Sequence, residues 1–180
     1  MADCKSIKLV LEDGTEFSGK SFGYEGSVAG EVVFNTAMTG YPESLTDPSY
    51  AGQILVSTYP LIGNYGVPRD TRDDNGLPLF FESEKIHITA LVISDYSWEY
   101  SHWNAQMSLS EWLTKNKVPG IYGIDTRALT QIIREKGAML GKIVFDNQDV
   151  EFHDPNKDNL VAEVSIKQPM TYGNGKYKLV

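Results

Sequence analysis

Over most of the chain, apolar residues fall in short runs rather than long helical stripes. Val32-Val33-Phe34 and Ile54-Leu55-Val56 are two such runs, separated by a stretch dense in Gly, Pro, Ser, Thr and Asp, a pattern that predicts strand, loop and strand. A β-rich run at 7–11 meets Asp13-Gly14, and Glu16, Phe17 and Phe22 continue beyond it. A β-hairpin with a two-residue turn is therefore expected at the start. Ile86, Ile88 and Ala90 alternate with His87 and Thr89 before Leu91-Val92-Ile93, which predicts a strand passing from half-buried to fully buried, with His87 on its more polar side. A further strand is expected at 143–145. Two segments carry a helical period. Ser108 and Glu111 form a capping box ahead of Leu109, Trp112 and Leu113, predicting a helix to about residue 117, stopped by Pro119-Gly120. Asp125 caps the second, whose stripe is Leu129, Ile132 and Ile133 and which Gly137 ends. Together these elements predict a mixed α/β fold.

Composition narrows the function classes. The 180 residues suit one domain of ordinary size. Lys and Arg number 16 against 24 Asp and Glu, and the net charge of −8 argues against a nucleic-acid or anionic-membrane surface. Cys4 is the sole cysteine, so no disulfide framework or Cys-rich metal site can form within one chain. His87, His102 and His153 lack metal-ligand spacing, and no metal site is expected. Gly23, Gly26 and Gly30 precede a strand rather than a helix, which excludes a dinucleotide fingerprint. The first residues lack an apolar signal core, and no apolar run approaches the ~18 residues of a membrane span. A soluble, cytoplasmic protein is expected.

Candidate chemistry centres on Thr46-Asp47-Pro48-Ser49-Tyr50. Asp47 can accept from backbone N–H groups just ahead of it, and Pro48 presets φ for a turn, so Ser49 is expected at a rigid corner. Its hydroxyl could meet a ligand; the same residues also serve simply to cap a helix or close a turn. Gly40-Tyr41-Pro42 and Gly63-Asn64-Tyr65-Gly66 allow close backbone approach. Residues 94–104 hold Trp98, Tyr100, His102 and Trp103, readable as a binding surface or as aromatics folded over a core edge. Arg127 and Arg134 face outward on their helix, as anion receptors or as solvated charge. Ser49 lacks a nucleophile elbow and a base, and Cys4 lacks a partner motif, so catalysis by these residues is not expected.

The stretch at 30–66, GEVVFNTAMTGYPESLTDPSYAGQILVSTYPLIGNYG, resembles the signature region of the N-terminal domain of the small, glutamine-using subunit of carbamoyl-phosphate synthetase. GIDTRALTQIIREKGAMLGKI at 123–143 resembles a second block of that family, and LVLEDGTEFSGKSFG at 9–23 fits as well. The resemblance runs from about 7 to 166. It implies a swivelling three-layer β/β/α domain over 1–165, then a linker and the truncated start of a glutaminase domain over 166–180, with a strand beginning at 177–180. The segment at 66–84 is similar to a long-loop branch that includes the multifunctional pyrimidine enzymes of animals.

The parent enzyme implied by the resemblance releases ammonia from glutamine and passes it to a large subunit. There carbamoyl phosphate is made from bicarbonate and ATP for arginine and pyrimidine synthesis. The implied role of this domain is non-catalytic: it docks on the large subunit in a heterodimer, abuts its own C-terminal glutaminase domain and borders the glutamine site, with Ser49 binding L-glutamine. No catalytic residue, metal ligand or cofactor is implied in this chain; ATP and magnesium belong to the large subunit. The family's glutaminase chemistry needs a cysteine, a histidine and a glutamate, a triad this chain lacks, so it is expected to be inactive alone. The rival reading is a free-standing small-molecule binding protein or hydrolase with a pocket around Ser49 and the aromatic segment.

Overall fold

The computed structural model describes residues 5–177. Strands β1 (Ser6–Leu11) and β2 (Glu16–Ser21) form the opening hairpin, with Leu9 opposite Phe17. Its turn is one residue longer than expected. The Leu11 N–H donates to the Thr15 carbonyl, leaving Glu12, Asp13 and Gly14 between them, and Gly14 takes φ +86°. A three-residue loop ending in a positive-φ glycine reverses the chain while keeping the strand twist. Asp13 anchors this turn to the other end of the barrel sequence. Its carboxylate is held at a pKa of about 2, first by the Lys136 ammonium at 2.5 Å and then by the Thr15 N–H at 2.9 Å.

Strand β3 (Val28–Asn35) is followed by helix α1 (Tyr41–Thr46), a 3₁₀ turn at Pro48–Tyr50, and β4 (Gln53–Ser57). β3 and β4 are parallel, with Val33 beside Leu55. Next come β5 (Val67–Pro68), β6 (Ala90–Ile93), β7 (Ala105–Met107), α2 (Leu109–Lys115), β8 (Gly120–Tyr122), α3 (Thr126–Lys136), β9 (Met139–Phe145) and α4 (Leu160–Val164). Seven strands close a barrel in the order β1-β2-β8-β6-β4-β3-β9, while β5 and β7 pair separately. The parallel half is β8-β6-β4-β3; the antiparallel half is β9-β1-β2. Antiparallel pairing of β2 with β8 and of β3 with β9 joins the two halves. The mixed β/β/α arrangement is thus present, its two β layers being halves of one closed barrel.

Two apolar cores follow from the strand period. Ile54, Val56, Ala90 and Val92 point into the barrel with Ile7, Leu9, Leu11, Val32 and Ile143, and α3 adds Leu129 and Ile133 to that cluster. Their neighbours Leu55, Leu91 and Ile93 face the other way, onto Tyr41 and Leu45 of α1 and Leu109 and Leu113 of α2. Parallel strands covered on both faces need unbroken apolar runs, which is what 54–56 and 90–93 supply.

Several elements differ from expectation. The strand expected from residue 86 begins only at Ala90, because the His87 N–H donates instead to the Leu45 carbonyl at the end of α1. Strands β5, β7 and β8 are two or three residues long, too short to show alternation. β9 starts four residues ahead of the expected 143, with every other side chain buried. α2 ends at Lys115, after which Lys117 adopts φ +58°. Residues 165–177 carry no strand. Cys4 and most of the strand expected at 177–180 lie outside the described residues, and Tyr177 itself sits in a bend. Among the described residues, no helix is long and apolar enough to cross a membrane.

Because Leu129 is fully buried in the barrel cluster, Leu129→Ala is expected to lower stability by about 2–5 kcal/mol through lost transfer energy and a residual cavity. Urea denaturation reads this directly; a loss below about 1 kcal/mol would show that α3 is not part of the barrel's cooperative unit.

Candidate functional site

Helix α1 starts without a conventional cap. Gly40 precedes it at φ 83° and ψ 29° and offers no side chain, so the first N–H groups of the helix need an outside acceptor. Tyr65 provides it. Its hydroxyl oxygen accepts from the N–H of Gly40 at 2.9 Å and of Tyr41 at 3.1 Å, while the Tyr41 hydroxyl donates to the Gly66 carbonyl at 2.5 Å. The two rings stack with centroids 4.3 Å apart, and burial pushes both phenols above the ordinary tyrosine range. The two glycine-tyrosine motifs seen in the sequence are therefore one structural unit.

The other end of α1 is stitched to residues 82–87. Thr46 is buried; its hydroxyl reaches back to the Pro42 carbonyl at 2.9 Å and accepts from the Glu82 N–H at 3.0 Å. The Ser83 hydroxyl donates to the Thr46 carbonyl at 2.6 Å and lies 3.0 Å from His87 Nε2. Burial, with Lys85 adding to it and Asp47 opposing, lowers the His87 pKa below the usual imidazole value. His87 thus belongs to the support of α1.

Ser49 sits in the 3₁₀ turn just beyond. Asp47 accepts from the Ser49 N–H at 2.8 Å, its carbonyl accepts from the Tyr50 N–H at 3.1 Å, and the Pro48 carbonyl accepts from the Ala51 N–H. These are the turn bonds expected from the sequence. The Tyr50 hydroxyl takes a bond from Asn35 Nδ2 at 3.2 Å, tying the turn to the end of β3. Gly52 follows at φ +78°, and a Cβ there would stand 2.5 Å from Pro155 Cβ, so the exit from the turn is braced by the segment that precedes α4. Ser49 itself is exposed, and its hydroxyl makes no hydrogen bond among the described residues. The arrangement is a polar group on a fixed backbone, facing outward.

The aromatic segment lies elsewhere. Tyr96 stacks on Phe22 at 4.5 Å, and Trp98 meets Tyr96 and Tyr122 edge-on, so this part covers a core edge. His102 and Trp103, with Gly40, Pro42, Glu43 and Tyr65, line a cleft of about 370 Å³ at the start of α1, and Trp103 is 84% exposed. Ser49 follows the opposite end of that helix and lines neither this cleft nor the one of about 200 Å³ beside Phe81 and Trp112. In the long 66–84 segment, Arg72 holds both Asp70 at 3.0 Å and Glu84 at 2.5 Å. Among the described residues no three His, Cys, Asp or Glu converge as a metal site would require. Sequence reasoning missed Tyr65 and Thr46 as the two anchors of α1. The only signals were a tyrosine flanked by glycines and a threonine preceding the Asp-Pro turn.

Removing the Tyr65 hydroxyl in Tyr65→Phe leaves two partly buried N–H groups without an acceptor, an expected cost of about 1–3 kcal/mol. Hydrogen exchange at the Gly40 and Tyr41 amides should speed up with it. Unchanged exchange at those two amides would mean that the helix start is satisfied some other way.

The described architecture can be set beside known proteins. The model of the family described as carbamoyl-phosphate synthase small chain, CPSase domain, matches residues 9–143, a span that begins in β1 and ends in β9. The chain is 56% identical over 172 residues to mouse (Mus musculus) mitochondrial carbamoyl-phosphate synthase [ammonia], covering 95% of this chain and 12% of that protein. It is 59% identical to the multifunctional protein pyr1-3 of Dictyostelium discoideum, covering 91% of this chain and 8% of that protein. With the multifunctional protein CAD of the shark Squalus acanthias the identity is 54%, covering 96% and 8%. The chain thus spans about a tenth of the length of these relatives. The matched span takes in the barrel and the Ser49 turn together, and this chain belongs to the carbamoyl-phosphate synthase small chain family as its CPSase domain.

Proposed function

We propose that this chain is the non-catalytic N-terminal domain of a glutamine-hydrolysing carbamoyl-phosphate synthase, and that Ser49 contributes one wall of the glutamine site. In this reading residues 1–165 form the domain, 166–180 lead into a glutaminase domain, and a large subunit binding ATP and magnesium is the docking partner. The parent enzyme makes carbamoyl phosphate from glutamine, bicarbonate and ATP for arginine and pyrimidine synthesis. The isolated domain, lacking the cysteine, histidine and glutamate of a glutaminase, releases no ammonia from glutamine.

The observation that carries this reading is the state of Ser49: its backbone is fixed by Asp47 and Pro48, while its hydroxyl is exposed and without a partner among the described residues. A preorganised donor loses little freedom on binding. A small-molecule site normally buries most of its ligand, and an open turn can supply only one side of such an enclosure. A second body must supply the rest, which favours a site shared between domains over a free-standing pocket. The names of the relatives also admit a second reading, in which ammonia itself is the nitrogen source. Ser49 would then be a structural turn residue.

One hydrogen bond from Ser49 is worth about 0.5–1.5 kcal/mol to a neutral group and about 1.5–3 kcal/mol to a charged one. In the full-length parent enzyme, Ser49→Ala should therefore reduce glutamine-dependent synthesis about two-fold to a hundred-fold. Synthesis from free ammonia should be unchanged. Steady-state kinetics with each nitrogen source decides the matter. Equal loss on both would assign Ser49 to assembly, whereas unaltered glutamine kinetics, or no glutamine-dependent synthesis in the wild type, would remove the glutamine role.

A further inference from the structure

A cleft of about 310 Å³ lies between α3 and the segments leaving the C-terminal ends of β3 and β4. Thr36 and Thr58 line it from the strand ends, and Thr126, Arg127, Thr130 and Arg134 from the helix, with Gln131 between them. Every lining residue is Thr, Gln or Arg. Among the described residues no carboxylate lines it, in a chain whose net charge is −8. Neither Arg127 nor Arg134 makes an ion pair or a side-chain hydrogen bond among the described residues, unlike Arg72, which grips two carboxylates.

Two further features give the cleft the character of a receptor. The Thr130 hydroxyl oxygen is shielded from solvent yet has no hydrogen-bond partner among the described residues. A buried polar atom left unpaired is costly. Thr58 is held in place, with its N–H and its hydroxyl both directed to the Asn35 carbonyl at 3.0 and 3.2 Å. Arg127 and Arg134 are seven residues apart, about 10.5 Å along the helix, a separation two extended guanidinium arms can close upon one ligand.

We infer that this cleft binds the phosphate group of a small phosphorylated ligand. Guanidinium forks match phosphate oxygens in pairs. A phosphate monoester carries about −1.5 to −2 charge at neutral pH and three acceptor oxygens, enough for two arginines with the Thr130 hydroxyl between them. A carboxylate presents one charge and two oxygens and leaves more of these donors unused. The cleft shares no residue with the Ser49 turn, so this assignment stands apart from the glutamine reading.

The test is a titration of the chain with inorganic phosphate at constant ionic strength, balanced with chloride and followed by amide chemical shifts in two-dimensional NMR. Saturable shifts confined to Thr36, Thr58 and residues 126–134 are expected. Arg127→Gln and Arg134→Gln should each weaken binding by about tenfold or more, and the double variant should abolish it without changing the thermal melt, since both side chains are exposed. A parallel titration with acetate separates the two oxyanion chemistries. Acetate binding at the same amides as tightly as phosphate would overturn the phosphate assignment. No saturable phosphate shift at these amides, or wild-type affinity in the double variant, would overturn the site.

Discussion

Parallel pairing of β3 with β4 is the constraint on which the rest of the molecule turns. Parallel neighbours cannot be joined by a tight turn, because the chain must travel back the length of the strand before it can pair again. Residues 36–52 are that return path. The crossover places α1 over the outer face of the parallel strands, where Tyr41 and Leu45 cover Leu55, Leu91 and Ile93. The same path leaves the Pro48–Tyr50 turn at the point where the chain must swing back into β4. The outward turn at Ser49 is a consequence of the topology before it is anything else.

A crossover helix of six residues has little stability of its own, and its two ends are secured by different devices. At the start, one tyrosine hydroxyl replaces the missing side-chain cap, and the stacked Tyr41–Tyr65 pair holds that hydroxyl in place. At the finish, Thr46 and Leu45 bond to residues brought in from 82–87. Both devices use partners distant in sequence, so the helix, the aromatic cleft beside its start and the turn beyond its end are ordered together. The result is rigidity without enclosure.

The antiparallel half of the barrel does a different job. β1 lies between β2 and β9, and the Asp13–Lys136 pair fastens the first turn to the last residue of α3. The first and last strands of the barrel are thereby paired with one another. A closed barrel removes the open sheet edges that would otherwise be available for pairing with other chains. It also brings the C-terminal ends of β3 and β4 up to α3, forming the arginine-lined cleft from residues that are about seventy to a hundred positions apart in sequence.

The sequence by itself determined the elements whose physics is local. The capping of α2 by Ser108 and of α3 by Asp125, the positive-φ glycine of the first hairpin and the Asp47–Pro48 turn under Ser49 all rest on bonds spanning two to four residues, so residue type and spacing suffice to read them. The short apolar runs at 32–34, 54–56 and 91–93 likewise announced strands. Tertiary structure alone decided the rest. Strand order and closure depend on pairing between distant segments, which alternation cannot encode. β5, β7 and β8 are too short to carry a period, and the chain around His87 left the strand ladder because the carbonyl of Leu45 takes the His87 N–H. Tyr65 as a helix cap, the separation of Ser49 from the aromatic cleft and the meeting of Arg127 and Arg134 with Thr36 and Thr58 arise only when the crossover has folded back, because each joins groups that no local rule relates.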